Sequence, residues 1–396
     1  MRCRVKEMNM RTDIYWESIN KFGEELCGDS VEIVRSPEKT ILVLADGLGS
    51  GVKANILSTL TTKIAATMLK DGATIEETVK TIVSTLPVCR IRKIAYSTFT
   101  IITVDDKCNC HIVEYDNPPV FLLRNGQIEK INGVKREIAG KKLTETRIKV
   151  EENDMLIAVS DGVVHAGVGG LLNLGWQWEN IAGYIEKVSK TETTPKSLVR
   201  LITTVTSNFY LDRAGDDATV AALKVIRPRR VTVFTGPPQN PADDGRVVEL
   251  LMGEPGVKVV CGGTAARIVS KILRKELVTS AEFIDPDIPP VGSIKGIDLV
   301  TEGVLTLART RQILQEYALP RARFSDLRQL NKKDGASRLA KIFVDATDLT
   351  FLLGKAVNPA HQNPDFPKEL SIKLNIVRDI ITILEKMGKN VTVKYF

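Results

Sequence analysis

The sequence predicts an α+β domain with helices packed on antiparallel sheets, followed by a smaller α/β domain. In the first half, strand-like and helix-like segments occur in blocks rather than in strict alternation. In the second half they alternate regularly, which is typical of mostly parallel sheets. Between the halves lies the basic segment Arg227–Arg230, closely followed by several prolines that disfavour a continuous helix or central strand. We therefore divide the chain at about residue 226, into domains 1–226 and 231–396.

The elements of the first domain follow from apolar periodicity and turn residues. Ile56, Leu57, Leu60, Ile64 and Met68 recur at three-and-four spacing, which predicts one buried face of a helix that begins after Gly51. Further helices are predicted at 75–86 and between about 176 and 208. The predicted strands are 31–34, 41–46, 96–105, 111–116, 120–126, 127–131, 155–162 and 218–225. Asn125-Gly126 indicates a type I′ hairpin turn, because both central positions need positive φ.

The second domain reads as an α/β three-layer fold. The strand-like runs VTVFTG, KVVCGG, IDLVTEG and DLTFLLG each precede a helix-like segment, and NVTVKYF ends the chain as a strand. Helices are predicted near 245–252, 264–275, 304–317 and 368–387.

Composition excludes several classes of protein. The chain has 396 residues, of which 43% are hydrophobic and 26% charged, and this balance is typical of a globular protein. It has no apolar run long enough for a bilayer span, and its first residues lack the pattern of a signal peptide, so we expect a cytoplasmic protein without membrane contact. The net charge is +7, but the basic residues are dispersed and no aromatic-basic interleaving is present, so we expect no nucleic-acid partner.

Six scattered cysteines in a chain of this length do not indicate a disulfide framework. Cys108-Asn109-Cys110-His111 could suggest zinc, yet it lies at a predicted hairpin turn and no second ligand pair stands at zinc-site spacing. We favour ordinary turn cysteines.

Four acidic positions of the first domain stand out by their context. Asp46 and Asp161 each end an apolar strand and precede a glycine, Asp29 precedes a strand, and Asp216-Asp217 open one. A single Asp-Gly is usually a turn. Several clustered carboxylates repel one another, however, and hard divalent cations are the natural way to keep them ionised. Oxygen-only ligands favour magnesium or manganese over zinc.

The motif order GDS, LADGLGSG, VSDG and GDDATV resembles the metal-dependent protein phosphatase family (PPM, or type 2C). Within it, the sequence is most similar to the branch of stage II sporulation protein E and the bacterial stress-response phosphatases. The resemblance covers about residues 20–226. It implies a PPM-like antiparallel β-sandwich flanked by helices.

The resemblance also implies roles for individual residues. Asp46 would bridge two metal ions, Mn²⁺ or Mg²⁺, and the Gly47 carbonyl would coordinate one of them. Asp29 would serve one ion largely through water, and Asp161 and Asp216 would complete the shell of the other. Asp46, Asp161 and Asp216 are thus the predicted catalytic residues, with Asp216 preferred over Asp217. No general acid is evident.

Two function classes compete at this stage. One is a serine/threonine phosphoprotein phosphatase of bacterial signalling, whose metal-bound water attacks phosphorus; the other is a non-catalytic scaffold with a PPM-like domain. The four acidic ligand positions favour the enzyme. The physiological phosphoprotein and the oligomeric state, including a homodimer, stay open.

The second domain offers one candidate ligand site. Gly262, Gly263 and Thr264 lie between an apolar strand and a helix, where backbone amides could receive an anion. We favour the alternative, a tight turn with Thr264 as N-cap. We expect a regulatory domain.

Overall fold

Two units organise the chain, and each is described separately. The computed structural model describes residues 10–36, 38–86, 97–190, 194–279, 285–319, 329–356 and 368–396. Within it, the contacts divide the chain into an N-terminal unit, Met1–Arg227, and a C-terminal unit, Pro228–Phe396.

The N-terminal unit contains two antiparallel sheets. Sheet 1 has five strands and sheet 2 has six among the described residues. In spatial order, sheet 1 consists of β1 (Arg11–Ile19), β11 (Ala218–Ile226), β10 (Met155–Val159), β6 (Phe121–Arg124) and β7 (Gln127–Glu129). Sheet 2 consists of β2 (Asp29–Arg35), β3 (Lys39–Gly47), β4 (Ser97–Asp105), β5 (Asn109–Tyr115), β9 (Lys141–Lys149) and β8 (Val134–Ile138). The helices are α1 (Gly51–Lys70), α2 (Ile75–Thr85), α3 (Asp161–Val164), α4 (Trp178–Val188) and α5 (Pro195–Phe209).

Side chains that alternate between the two faces of each strand hold together four layers: helices α1 and α2, sheet 2, sheet 1, and helices α4 and α5. Leu42 and Leu44 of β3 face sheet 1 and pack with Leu156 and Leu223 in the core between the sheets. The intervening residues of β3 face α1 and α2, and the opposite face of sheet 1 packs on α4 and α5. Both faces of the central strands are therefore buried, which explains why their sequences read as continuous apolar runs. The unit has the predicted α+β architecture.

The buried face of α1 differs from the predicted one. Leu57 is buried, but Ile56 is 52% exposed and Leu60 is 43% exposed. The face that packs on sheet 2 is made mostly of small side chains, including Ala54, Ser58, Thr61, Thr62, Ala65 and Ala66. Small residues let the helix approach the sheet closely, so counting large apolar residues selected the wrong face.

Local sequence motifs explain one hairpin turn and the start of one helix. Asn125 and Gly126 have φ of 51° and 78°, which confirms the type I′ hairpin between β6 and β7. Thr74 and Glu77 form a reciprocal capping box at the start of α2.

The cysteines of the described part of the chain, Cys27, Cys108, Cys110 and Cys261, are free, while Cys3 and Cys89 lie outside it. Cys110 is buried in the core between the sheets, whereas His111 points to the other face and contacts Glu145. Because these two side chains diverge, they cannot share a metal ion.

The C-terminal unit is built on a mostly parallel sheet. In spatial order its strands are β14 (Val278–Thr279), β15 (Gly292–Ser293), β16 (Leu299–Thr301), β13 (Val257–Cys261), β12 (Arg230–Thr235), β17 (Asp348–Leu353) and β18 (Asn390–Tyr395). The strands from β16 to β18 are parallel. The helices are α6 (Asp244–Gly253), α7 (Gly263–Leu273), α8 (Val304–Ala318), α9 (Gly335–Asp345) and α10 (Lys368–Lys386).

Helices cover both faces of this sheet. Helices α6 and α7 contribute to one core, and α8, α9 and α10 contribute to the other. The strand order reverses at β12, which places the topological switch point between β12 and β17. The loops at this point hydrogen-bond to each other, from Gly354 N–H to the Thr235 carbonyl at 3.0 Å and from Ala356 N–H to the Pro237 carbonyl at 3.1 Å. Backbone hydrogen bonds therefore join the two chain segments on either side of the switch point.

None of the helices in the described ranges combines the length and the apolar character that a membrane crossing requires.

Candidate metal centre

The four predicted acidic positions lie at one end of the β-sandwich. Asp29 begins β2 and is the cross-strand partner of Asp46 near the end of β3. Asp161 lies two residues after the end of β10, and that end pairs with the start of β11, which begins two residues after Asp216. Antiparallel pairing thus explains how acids far apart in sequence meet. Strands of sheet 2 carry Asp29 and Asp46, while Asp161 and Asp216 lie next to strands of sheet 1, at the start of α3 and in the loop before β11.

Two glycines let the backbone close around these acids. A Cβ atom on Gly47 would lie 2.1 Å from the carbonyl oxygen of Ala54, in the first turn of α1. A Cβ atom on Gly162 would lie 2.0 Å from the carbonyl oxygen of Asp217. Each glycine directly follows a candidate ligand, so the close packing fixes the backbone on which that ligand is mounted.

The carboxylates destabilise one another's charged forms. Burial raises the pKa of Asp46, and so do the nearby charges of Asp29 and Asp161 and a hydrogen bond with Asp161. Burial also raises the pKa of Asp29, with smaller contributions from Asp217 and Asp161. The pKa of Asp216 is raised by burial and by Asp161. Concentrated negative charge of this kind is what a bound cation would relieve.

Two carboxylate oxygens in this cluster lack partners. Among the described residues, Oδ1 of Asp29 and Oδ1 of Asp161 are buried without a hydrogen bond. An unsatisfied buried carboxylate oxygen is costly, and a metal ion or its water would satisfy it. The all-oxygen donor set suits Mg²⁺ or Mn²⁺.

The described residues do not form a preformed set of converging metal ligands. No three Asp, Glu, His or Cys side chains in the described ranges converge at metal-ligand distance. The residues fit an ion that is held partly through water, as Mg²⁺ commonly is in proteins, or one that binds after side-chain rotation.

Asp216 and Asp217 have different environments. Asp217 is buried, and its Oδ1 accepts a hydrogen bond from Lys21 N–H at 3.0 Å. Asp216 is exposed, and its Oδ1 accepts only the local bond from Asp217 N–H, also at 3.0 Å. One carboxylate is thus engaged in joining two loops, while the other remains accessible beside Asp161.

The sequence reasoning overlooked two polar residues of this region. The Tyr210 hydroxyl donates to the Gly162 carbonyl at 2.7 Å, and burial raises the pKa of Tyr210 to about 12, helped by Asp216 and Asp161. Ser160 contacts Asp29 across the sheets. Ser160 stands next to Asp161 in the VSDG motif, which was the available signal. For Tyr210 the sequence offered none.

The predicted ligand position in the C-terminal unit lies at the start of α7. Gly262 is the N-cap residue with φ of 115°, and Thr264 lies inside the helix, so the alternative of a Thr264 N-cap is wrong. Lys373 Nζ is 3.5 Å from where a Gly262 Cβ would be. Burial lowers the pKa of Lys373. A cation therefore stands beside the backbone of Gly262 and Gly263.

Residues 36–226 match the family model described as stage II sporulation protein E (SpoIIE). The N-terminal unit resembles the SpoIIE branch of the PPM family. A curated relative, stage II sporulation protein E of Bacillus subtilis (strain 168), is 27% identical to this chain over 151 residues, which are 36% of this chain. The aligned part is 18% of that relative, so the chain spans less than a fifth of its length.

Solved structures similar to this chain include the PP2C phosphatase domain, with a fragment of the regulatory domain, of SpoIIE from Bacillus subtilis. It is 21% identical with a TM-score of 0.47, and the match covers 55% of this chain and 64% of that one. The structure of RsbX in complex with magnesium is 17% identical with a TM-score of 0.41, and the match covers 54% and 95% of the two chains.

Proposed function

We propose that the SpoIIE-like unit is a metal-dependent serine/threonine phosphoprotein phosphatase. Asp46, Asp161 and Asp216, with Asp29 and the Gly47 carbonyl, would hold two divalent ions, Mn²⁺ or Mg²⁺. The observation that carries the proposal is the pair of buried, unpartnered carboxylate oxygens, Oδ1 of Asp29 and Oδ1 of Asp161, one on a strand of sheet 2 and the other next to a strand of sheet 1.

The protein's own contribution would be to hold the carboxylates in place. When bound, divalent ions would lower the pKa of a bound water towards neutrality and would offset negative charge on the phosphoryl group. Gly47 and Gly162 allow the close packing that sets the positions of Asp46 and Asp161. The accessible carboxylate of Asp216 would face the solvent side, from which a phosphorylated side chain must approach.

A phosphoprotein substrate agrees with the form of the site. Asp216, the exposed acid of the cluster, lies in the loop before β11. A phosphorylated side chain on a protein surface could reach such a position. The resemblance to PPM phosphatases implies phosphoserine or phosphothreonine.

The deciding experiment compares the full chain with its Asp46→Asn variant. Asn keeps the volume of Asp but lacks the charge, so the fold should persist while manganese-dependent hydrolysis of a phosphopeptide panel is lost. Retention of the fold is checked by fluorescence from Trp16, Trp176 and Trp178, the three tryptophans of the chain, which all belong to this unit. Turnover at the wild-type level in a folded Asp46→Asn protein would contradict the proposed site.

The second candidate function is a non-catalytic scaffold that binds metal or phosphoprotein. It would bind Mn²⁺ and phosphopeptide without releasing phosphate. The same panel separates the two, since only the enzyme gives phosphate release that depends on Asp46.

For the C-terminal unit, we retain the hypothesis of a regulatory domain with an anion-binding position at Gly262, Gly263 and Thr264. The nearby ammonium group of Lys373 supports an anionic rather than a cationic ligand.

A further inference from the structure

The hydroxyl of Ser160 connects the two halves of the candidate metal centre. Its Oγ donates to Oδ2 of Asp29 at 2.7 Å and accepts from Thr219 N–H at 2.8 Å. Ser160 and Thr219 are fully buried and Asp29 is 5% exposed. Water therefore cannot replace these bonds without rearrangement of the core.

The direction of these bonds fixes the orientation of the Asp29 carboxylate. An ionised carboxylate can only accept, so the single proton of Ser160 must point at Asp29. The Oγ lone pairs remain available to the Thr219 amide. With Oδ2 engaged, the other oxygen, Oδ1, is the buried and unpartnered one. The hydroxyl thus helps to leave Oδ1 of Asp29 free, together with the Thr219 side chain, which also hydrogen-bonds to Asp29.

The backbone of Ser160 places a second acid. Its N–H donates to the Thr219 carbonyl at 2.9 Å, which extends the β10–β11 pairing to the residue just before Asp161. The side chain of Ser160 therefore orients an acid of sheet 2, while its peptide positions an acid next to sheet 1. Among the described residues, the free oxygens of both acids, Oδ1 of Asp29 and Oδ1 of Asp161, are buried without partners.

We propose that Ser160 is a positioning residue for divalent metal binding, which holds the Asp29 carboxylate so that its Oδ1 is presented to the metal or to metal-bound water. This inference rests on the proposed function. Residues that hydrogen-bond to metal ligands commonly change metal affinity by about 10–100-fold when they are mutated. Ser160→Ala removes the donor and should weaken Mn²⁺ binding by about that factor.

Ser30→Ala is the matched control. Ser30 follows Asp29 in β2 and its hydroxyl contacts the Thr62 hydroxyl of α1 at 3.1 Å, on the opposite side of the strand. Ser30→Ala loses one side-chain hydrogen bond next to the same acid, while Ser160→Ala loses two, one to Asp29 and one from Thr219 N–H. Only Ser160→Ala loses a bond to the carboxylate. Ser160→Cys keeps the shape of the side chain but has a larger atom and a much weaker donor, and should also lower Mn²⁺ affinity.

The experiment measures Mn²⁺ affinity of the metal-free full chain by titration calorimetry, with tryptophan-detected Tm recorded without metal. The expected result is a loss of about 10–100-fold in affinity for Ser160→Ala and Ser160→Cys, and a change below about twofold for Ser30→Ala. If Ser160→Ala does not fold, Ser160→Cys decides. Folded Ser160 variants with wild-type Mn²⁺ affinity would overturn the inference, as would an equal loss in Ser30→Ala. A wild-type chain that binds no Mn²⁺ would instead overturn the proposed function and this inference with it.

Discussion

Gly162→Ala tests whether close packing beside Asp161 is required for the metal centre. The added Cβ would lie 2.0 Å from the Asp217 carbonyl oxygen and 2.9 Å from its carbon, whereas ordinary van der Waals contact begins at 3.4 Å. The start of α3 and the start of β11 would have to separate by about 1.4 Å, because both contacting groups are backbone. Overpacking of this kind typically costs about 1–3 kcal/mol. The displacement falls between Asp161 and Asp216, so Mn²⁺ affinity should fall as well.

The assay is thermal unfolding of the full chain followed by tryptophan fluorescence, which reports on the N-terminal unit alone. For a unit of this size, each kcal/mol lost lowers Tm by about 2–4 °C. Gly183→Ala is the control, because Gly183 lies in α4 with open space around its Cβ position. That change should be neutral or stabilise the unit by up to about 1 kcal/mol. A Gly162→Ala protein with the Tm and Mn²⁺ affinity of the wild type would refute the reasoning.

Three further predictions concern the acids, the boundary and the C-terminal unit. Asp216→Asn should abolish Mn²⁺-dependent activity at unchanged Tm, whereas Asp217→Asn should lower Tm because it weakens the buried contact with Lys21 N–H. Mn²⁺ affinity from calorimetry and the Tm are measured for both variants. The reverse pattern would show that Asp217 is the ligand. A fragment ending at Arg227 should stay soluble and retain Mn²⁺ binding in calorimetry; aggregation would mean that the two units need each other. Inorganic phosphate should stabilise the C-terminal unit, which is measured as slower hydrogen exchange of that unit in the full chain. Lys373→Met should remove this stabilisation. An equal stabilisation of the variant would exclude an anion site beside this lysine.

Sequence patterns predicted elements with both faces buried better than elements with mixed surfaces. The apolar runs of β3 and β10 were evident because both faces of each strand pack against other layers. Strand β1 was missed, since Arg11–Ile19 mixes charged and aromatic residues and is only partly buried. For α1, the buried surface is made of Ala, Ser and Thr, so hydrophobic periodicity did not identify it. The pattern of large residues identifies a core face only when large residues build that face.

The acids of the candidate site could be selected from the sequence, but their pairing could not. Each one stands at a strand end, and this context is visible locally. The meeting of Asp29 with Asp46, and of Ser160 with Asp29, depends on strand register and on how two sheets stack. The choice between Asp216 and Asp217 likewise depends on a loop contact that involves Lys21, far away in sequence. The metal assignment itself stays a prediction.

The placement of acids on sheet 2 and next to sheet 1 has a consequence for the lifetime of the protein. A divalent ion held between Asp46 of sheet 2 and Asp161 next to sheet 1 would act as a non-covalent cross-link between the sheets of the folded unit. Binding to the folded form alone at 100 times the Kd would add about 2.7 kcal/mol to the free energy of unfolding. Cellular manganese or magnesium supply would then govern how much of the protein survives degradation, in addition to how fast each molecule works. Starvation for the ion would act as a signal through abundance, on the slower timescale of protein turnover.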